Sequence, residues 1–307
     1  MLDTAPDPAA DDGSTRSDLI PVGGGRRLEV HEYGDPAGVP LFFFHGLIGS
    51  HHQAGFVAAE AARRGLRIIA PNRPGVGLSD FERRNSPLDS VGDVEAVAEA
   101  WNLDRFGLIG ISGGTPYALA ALHRLRDRVL ATTILSGMGP TRLPGALRGM
   151  PAARRLALAI GARRPRLAVR AFGGWAERFE ADPEGFLDRF VAGSCRADRV
   201  LFRRPDLRRL FLGDLHQVFR VARRGPEGLA QELRLYRDLG FSLRDLPADR
   251  RVVLWQGLDD DVVPPAMAYA MARRIPCAEA HFVPGGHFVA IAIADQIMER
   301  IEKRINM

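Results

Sequence analysis

Cysteine and lysine are nearly missing from this chain: two cysteines and one lysine in 307 residues. Cys195 and Cys277 lie in unrelated segments and form no C-x-x-C pair, which argues against a disulfide scaffold and against a cysteine-based zinc site. Two buried free thiols in a reducing compartment are the expectation. Long apolar runs are missing too. None approaches the roughly 20 residues that cross a bilayer, so no transmembrane segment is expected. The segment from Met1 to Asp18 has neither a basic start nor an apolar stretch, and does not read as a signal peptide. Its five aspartates, one arginine and two prolines read instead as a disordered leader without chemistry. A cytoplasmic protein follows as the expectation. Aromatics make up 7% of the residues and are not interleaved with basic clusters, so nucleic acid is not an expected partner.

Charge is present but unevenly placed. The formal net charge is +5, yet residues 141–210 hold 16 arginines against 7 acidic residues. Lys303 is the sole lysine among 42 basic residues, so arginine usage itself fits a GC-rich genome and solvated helix faces. That does not explain the local excess. The sharper reading is a surface that attracts an anionic substrate or an anionic membrane, because clustered charge concentrates counter-ions.

The apolar content of 46% is ample for a core, and its pattern alternates between strand and helix. An edge hairpin is expected over residues 19–33, turning at Gly23-Gly24-Gly25. Parallel strands are expected at 41–44, 67–70, 106–111 and 129–135, with helices between them at about 53–64, 89–101 and 115–126. Such alternation argues for a parallel sheet with right-handed crossovers. Residues 141–245 break the rhythm. They contain no clear strand but have helical spacing at 152–161, 166–172, 184–191 and 227–238, which suggests a mostly helical cap inserted after the sixth strand. The domain division is then a leader at 1–18, a core at 19–140 and 246–307, and a cap at 141–245. A cap over the strand ends would exclude water and shape a pocket. Its aromatics, among them Phe172, Trp175, Phe179, Phe186 and Phe219, could line that pocket or fill the cap's own core.

The most telling pattern is Gly110-Ile111-Ser112-Gly113-Gly114, between the apolar run 106–109 and the alanine-rich stretch 117–125. A strand, a tight turn with a serine at its apex and then a helix form the setting of a nucleophile elbow. Small neighbours let the strained turn pack closely, and the helix aims free N–H groups at the place where an oxyanion would form. A serine nucleophile needs a base, and the base needs an orienting acid. Downstream, the apolar run 252–256 enters a loop with Asp259, Asp260 and Asp261. A further short strand at 281–284 enters Gly285-Gly286-His287. Serine, aspartate and histidine each follow a strand, in that order. No histidine forms a metal-ligand pair with an acid at helical or hairpin spacing, so no metal is expected. His51 and His52 are placed at the mouth of the pocket, and His31, His123, His216 and His281 in structural or solvated positions.

Taken with His45-Gly46 after the strand at 41–44, the run Asn72-Arg73-Pro74-Gly75-Val76-Gly77-Leu78-Ser79-Asp80, Gly257-x-x-Asp260 with Val263-Pro264, and Gly286-His287, the chain resembles the α/β-hydrolase superfamily, in particular its cap-bearing bacterial esterases. The resemblance spans about residues 19–305 and leaves 141–245 without a named motif. It implies an eight-stranded, mostly parallel sheet. It also points to Asp260 as the acid, with Asp259 and Asp261 as surface carboxylates or helix caps. The oxyanion hole would be the backbone N–H groups of Leu47 and Gly113, with His45, Gly46, Gly110 and Gly114 supporting the site and Arg73 to Asp80 bracing it. With Ser112 as nucleophile and His287 as base, ester hydrolysis is the expected reaction, on a small-molecule ester or related carbonyl substrate and without a cofactor. C–C bond hydrolysis, lactone hydrolysis, perhydrolysis and acyl transfer would use the same parts. A non-catalytic protein that binds a small ligand under the cap is the alternative of a different class. No motif specifies an oligomeric state.

Overall fold

Successive residues of a strand face opposite sides, so an unbroken apolar run signals a strand covered on both faces. Leu41-Phe42-Phe43-Phe44 is such a run. In the computed structural model, which describes residues 13–248 and 252–306, Phe42 and Phe44 join one core cluster while Leu41 and Phe43 join another across the sheet. Each fully buried phenylalanine contributes about 2–3 kcal/mol. This double coverage makes the sheet the rigid element from which the site hangs.

The sheet has eight strands: β1 (Arg16–Val22), β2 (Arg26–Gly34), β3 (Val39–Phe44), β4 (Leu66–Pro71), β5 (Phe106–Ile111), β6 (Val129–Leu135), β7 (Val252–Gly257) and β8 (Glu279–Val283). Their order is β1-β2-β4-β3-β5-β6-β7-β8. β1 and β2 pair antiparallel, as do β2 and β4, and every other neighbouring pair is parallel. The core helices are α1 (Ala58–Ala62), α2 (Val91–Ala100) and α3 (Thr115–Arg124). Between β6 and β7 the chain is helical: α4 (Ala152–Arg163), α5 (Pro165–Ala181), α6 (Pro183–Ala192), α7 (Arg196–Leu201), α8 (Pro205–His216) and α9 (Gly225–Leu235). It then closes the fold with α10 (Pro265–Ala272), α11 (Val289–Ala292) and α12 (Ala294–Ile305). Helices α7 and α8 lie where helical spacing gave no signal.

Two expectations need correction. The leader was expected to run to Asp18, but β1 begins at Arg16, paired with Glu32 of β2. Asp18 is fixed there by the Trp101 indole, which donates to its carboxylate at 3.0 Å. Residues 1–12 lie outside the described residues. Burial of both thiols is also not found. Cys277 is exposed in a left-handed turn (φ 53°), where a tight reversal before β8 leaves no cover, and Cys195 is half-buried.

The aromatics of the helical region pack on one another. Phe179, Phe186, Phe202 and Phe211 form a separate cluster that also takes in Phe288 of the core. Among the described residues, no helix is long and apolar enough to cross a membrane.

Candidate active site

Ser112 sits where β5 ends and the turn into α3 begins, with φ at 50°. A non-glycine residue in this left-handed region stores strain of order 1–3 kcal/mol. The surroundings hold it there. The Ser112 carbonyl accepts from the Met138 amide at 2.9 Å. Gly114 packs so closely that an added Cβ would lie 1.9 Å from the Phe44 carbonyl oxygen at the end of β3. Gly110 has room for no more than hydrogen against Ala118, 2.9 Å from a built Cβ.

The loop after β8 brings His287 to this turn. Its Nε2 lies 3.0 Å from Ser112 Oγ and its Nδ1 lies 2.8 Å from Asp260 Oδ2. A carboxylate can only accept, so Nδ1 carries the proton and Nε2 faces the serine hydroxyl as an acceptor. Asp260 has no exposed side-chain surface. The amides of Val262 and Val263 donate to its Oδ1, and Gln256 Nε2 donates to its Oδ2. Burial alone would disfavour the imidazolium of His287. The Asp260 carboxylate and, more weakly, Asp198 outweigh that, and its pKa is raised above the ordinary value. Of the three neighbouring aspartates, Asp259 is exposed and Asp261 pairs with Arg154 at 3.3 Å. Neither touches His287, and neither caps α10, whose N-cap is Pro264.

The loop after β3 faces the serine from the other side. Arg73 is buried and its guanidinium donates to the His45 and Gly46 carbonyls, the second at 2.8 Å. In a trans peptide the N–H points opposite the preceding C=O. Arg73's hold on the Gly46 carbonyl therefore turns the Leu47 N–H away from Arg73. By the same rule the Met138 bond to the Ser112 carbonyl fixes the direction of the Gly113 N–H. The two residues meet, since a Cβ built on Gly113 would lie 3.0 Å from Leu47 N. His45 is fully buried. It accepts from the Arg73 amide at Nε2, so its Nδ1–H donates to the Gly46 carbonyl. Burial and the nearby guanidinium hold its pKa well below the usual range, so it stays neutral. The Gly46 amide donates to Gln53 Oε1 at 2.7 Å.

Four residues of the helical region complete the surroundings, and sequence reasoning missed all of them. Asp198 on α7 accepts from the His287 and Phe288 amides at 2.9 and 3.1 Å. Asp214 on α8 accepts from the Ser50 amide and hydroxyl at 2.8 and 2.7 Å. Glu232 on α9 accepts from Arg73 at 3.1 Å and from the Tyr117 hydroxyl at 2.6 Å. Tyr236, at the end of α9, packs beside Gly113. The signal was available for two of them. Asp214 recurs at the spacing of Phe211 and Val218, and Glu232 at the spacing of Leu229 and Leu235. Each is thus an acid inside the buried stripe of a helix.

The histidines differ from expectation in two ways. His51 and His52 are buried, not at a pocket mouth. His51 Nδ1 meets the Tyr33 hydroxyl at 2.7 Å, and His52 packs under Ser50 and Gly213. A histidine–acid pair also exists at strand spacing. Glu29 and His31 are two residues apart on β2 and so face the same side, 3.1 Å apart, and with His51 they bring ligand-type atoms within 4.8 Å of one another. The His31 and His51 rings stack at 3.4 Å with planes 1° apart. Imidazole lone pairs lie in the ring plane, so parallel rings aim past a common point. Glu29 is already engaged by Asn72 and the Leu78 amide. We read the cluster as a hydrogen-bonded stack. The arginines of the helical region divide between ion pairs, such as Arg208 with Glu184 and Asp188, and exposed positions on α4 and α5 at Arg155, Arg163, Arg166 and Arg170.

A sheet of this order, with a serine turn after β5, an acid after β7 and a histidine after β8, defines a hydrolase-type scaffold, and sequence comparison agrees. The family model described as the alpha/beta hydrolase fold matches residues 39–292, and the chain belongs to that family. No curated protein sequence matches it. Among solved structures it is similar to an esterase from Exiguobacterium antarcticum (17% identity, TM-score 0.68, 95% of this chain and 100% of that one). It is similar also to a thermophilic esterase from Thermogutta terrifontis (19%, 0.64, 95% and 98%) and to an enol-lactonase from Burkholderia xenovorans (16%, 0.67, 95% and 100%). Likeness at these identities carries the fold alone.

Proposed function

We propose that this hydrolase cleaves a carboxylic ester through an acyl-enzyme on Ser112. The observation that carries the reading is the continuous chain from Asp260 Oδ2 through His287 to Ser112 Oγ, at 2.8 and 3.0 Å. His287 takes the hydroxyl proton as Oγ attacks the carbonyl carbon, and the carbonyl π pair moves onto oxygen. Asp260 holds the imidazole tautomer and stabilises the imidazolium. The Leu47 and Gly113 amides meet the oxyanion, each donor worth on the order of 3 kcal/mol in the transition state. His287 then protonates the leaving alcohol, and water repeats the sequence on the acyl group. The helical region between β6 and β7 acts as the cap. Its contacts to the loops at Ser50, Arg73 and His287 support a role in holding the site as well as covering it.

The test is turnover of a p-nitrophenyl ester series from acetate to long chains, with a serine-directed phosphonate located by mass. Turnover with an adduct on Ser112 is expected, and Ser112→Ala should lower kcat by several orders of magnitude while the fold persists. An adduct without turnover would move the substrate to a lactone, a C–C bond or acyl transfer. Neither adduct nor turnover would sink the reading in favour of a non-catalytic ligand binder.

A further inference from the structure

Tyr236 is the residue that closes α9, and it is 1% exposed. Its backbone is pinned, because its carbonyl accepts from the Thr141 amide at 2.8 Å. The ring reaches out of the helical region to the serine turn. A Cβ built on Gly113 would lie 2.0 Å from the Tyr236 hydroxyl oxygen and 3.0 Å from Leu47 N. The phenol oxygen, the Leu47 amide and the Gly113 backbone therefore surround one small volume. Only a glycine at 113 leaves space for the hydroxyl there.

Among the described residues the hydroxyl makes no hydrogen bond of full geometry, and the acceptor beside it is the Glu232 carboxylate. Its neighbour Tyr117 differs, since that hydroxyl is committed to Glu232. A buried O–H held only loosely by its acceptor costs stability, and it is free to turn to a stronger acceptor that forms beside it. Burial, then the adjacent Glu232 carboxylate, raises the phenol pKa well above its ordinary value, so it is a protonated donor at neutral pH.

We infer that the Tyr236 hydroxyl is a third donor to the oxyanion, added from the cap to the Leu47 and Gly113 amides. This rests on the serine-hydrolase reading above. When Ser112 Oγ bonds to the carbonyl carbon and the π pair moves to oxygen, the phenol O–H donates a hydrogen bond to that oxygen and keeps its proton. The donor then gains its full bond only in the tetrahedral state, which is the condition for raising kcat without tightening substrate binding. It also ties catalysis to the cap, because α9 must be seated for the third donor to be in place.

The test is Tyr236→Phe, which removes one oxygen and keeps the ring. Three quantities are read: kcat and KM on p-nitrophenyl acetate, the Ki of a trifluoromethyl ketone that forms a tetrahedral adduct on serine, and Tm. The expected result is a fall in kcat on the order of 10²-fold with KM nearly unchanged. The ketone Ki should rise by a similar factor, and Tm should hold because the hydroxyl makes no full hydrogen bond in the resting protein. A kcat and ketone Ki within about threefold of wild type would overturn the assignment. So would a fall in kcat that comes with a higher KM and a lower Tm, the signature of a packing role. Ser112→Ala measured alongside separates the two failures. If it is inactive while Tyr236→Phe matches wild type, only the tyrosine assignment falls. If wild type neither turns over the ester nor binds the ketone, both readings fall.

Discussion

Asp214→Asn should make stability less sensitive to pH. Asp214 is fully buried on α8, and burial pushes its pKa from the ordinary 3.8 up to about 7, against the opposing bonds from Ser50 and Gln53. A folded pKa above the unfolded one means that the folded state holds the proton across that interval while the unfolded state has released it. The stabilisation from that proton is complete below about pH 4 and is lost as the pH rises towards 7. Three pH units at 1.36 kcal/mol each give a loss on the order of 4 kcal/mol. Asparagine keeps an acceptor oxygen for Ser50 and carries no titrating proton. Urea midpoints of both proteins at pH 4.5, 5.5, 7 and 8.5 should show the variant gaining on wild type through pH 7 and levelling off above it. A constant difference across that range would show that Asp214 is ionised when folded, and the burial argument would fail. The consequence reaches the site, because Ser50 ends the loop that carries Leu47.

Asp198→Ala leaves the buried His287 and Phe288 amides without their acceptor, at about 1–3 kcal/mol each, and kcat should fall as the histidine loop loosens. The acid limb of its pH–rate profile should move to lower pH, because His287 must be neutral to accept the serine proton and Asp198 is one of the charges that raise its pKa. A limb that moves to higher pH would contradict this. Glu232→Ala strands the Arg73 guanidinium in the interior, and removing one partner of a buried pair costs on the order of 3–5 kcal/mol. Urea denaturation should report that loss and ester kinetics a lower kcat, since Arg73 orients the Gly46 carbonyl. A stability loss under about 1 kcal/mol would mean that the arginine finds other acceptors or water.

The strands and the order of the site were legible because their causes are local. Leu41 to Phe44 and Phe106 to Ile111 are apolar on both faces, and Gly110, Gly113 and Gly114 are small because a turn with no spare volume follows β5. Family spacing favours Asp260 over Asp259 and Asp261, and in the fold it is the Asp260 carboxylate that meets His287. The helical region was less legible. Its spacing revealed α4, α5, α6 and α9 but not α7 and α8, whose polar and apolar residues are divided among the core of the helical region, solvent and the loops at Ser50 and His287.

Sequence alone thus determined the alternation of strand and helix, the tight turn at Ser112 and the strand-end positions of Asp260 and His287, because backbone period and turn sterics act within a few residues. Tertiary structure alone decided that Asp198, Asp214, Glu232 and Tyr236 converge on loops up to 164 residues away in the chain. The cost of burying an acid or a hydroxyl is fixed by what it meets, and no local pattern encodes a partner brought from across the fold.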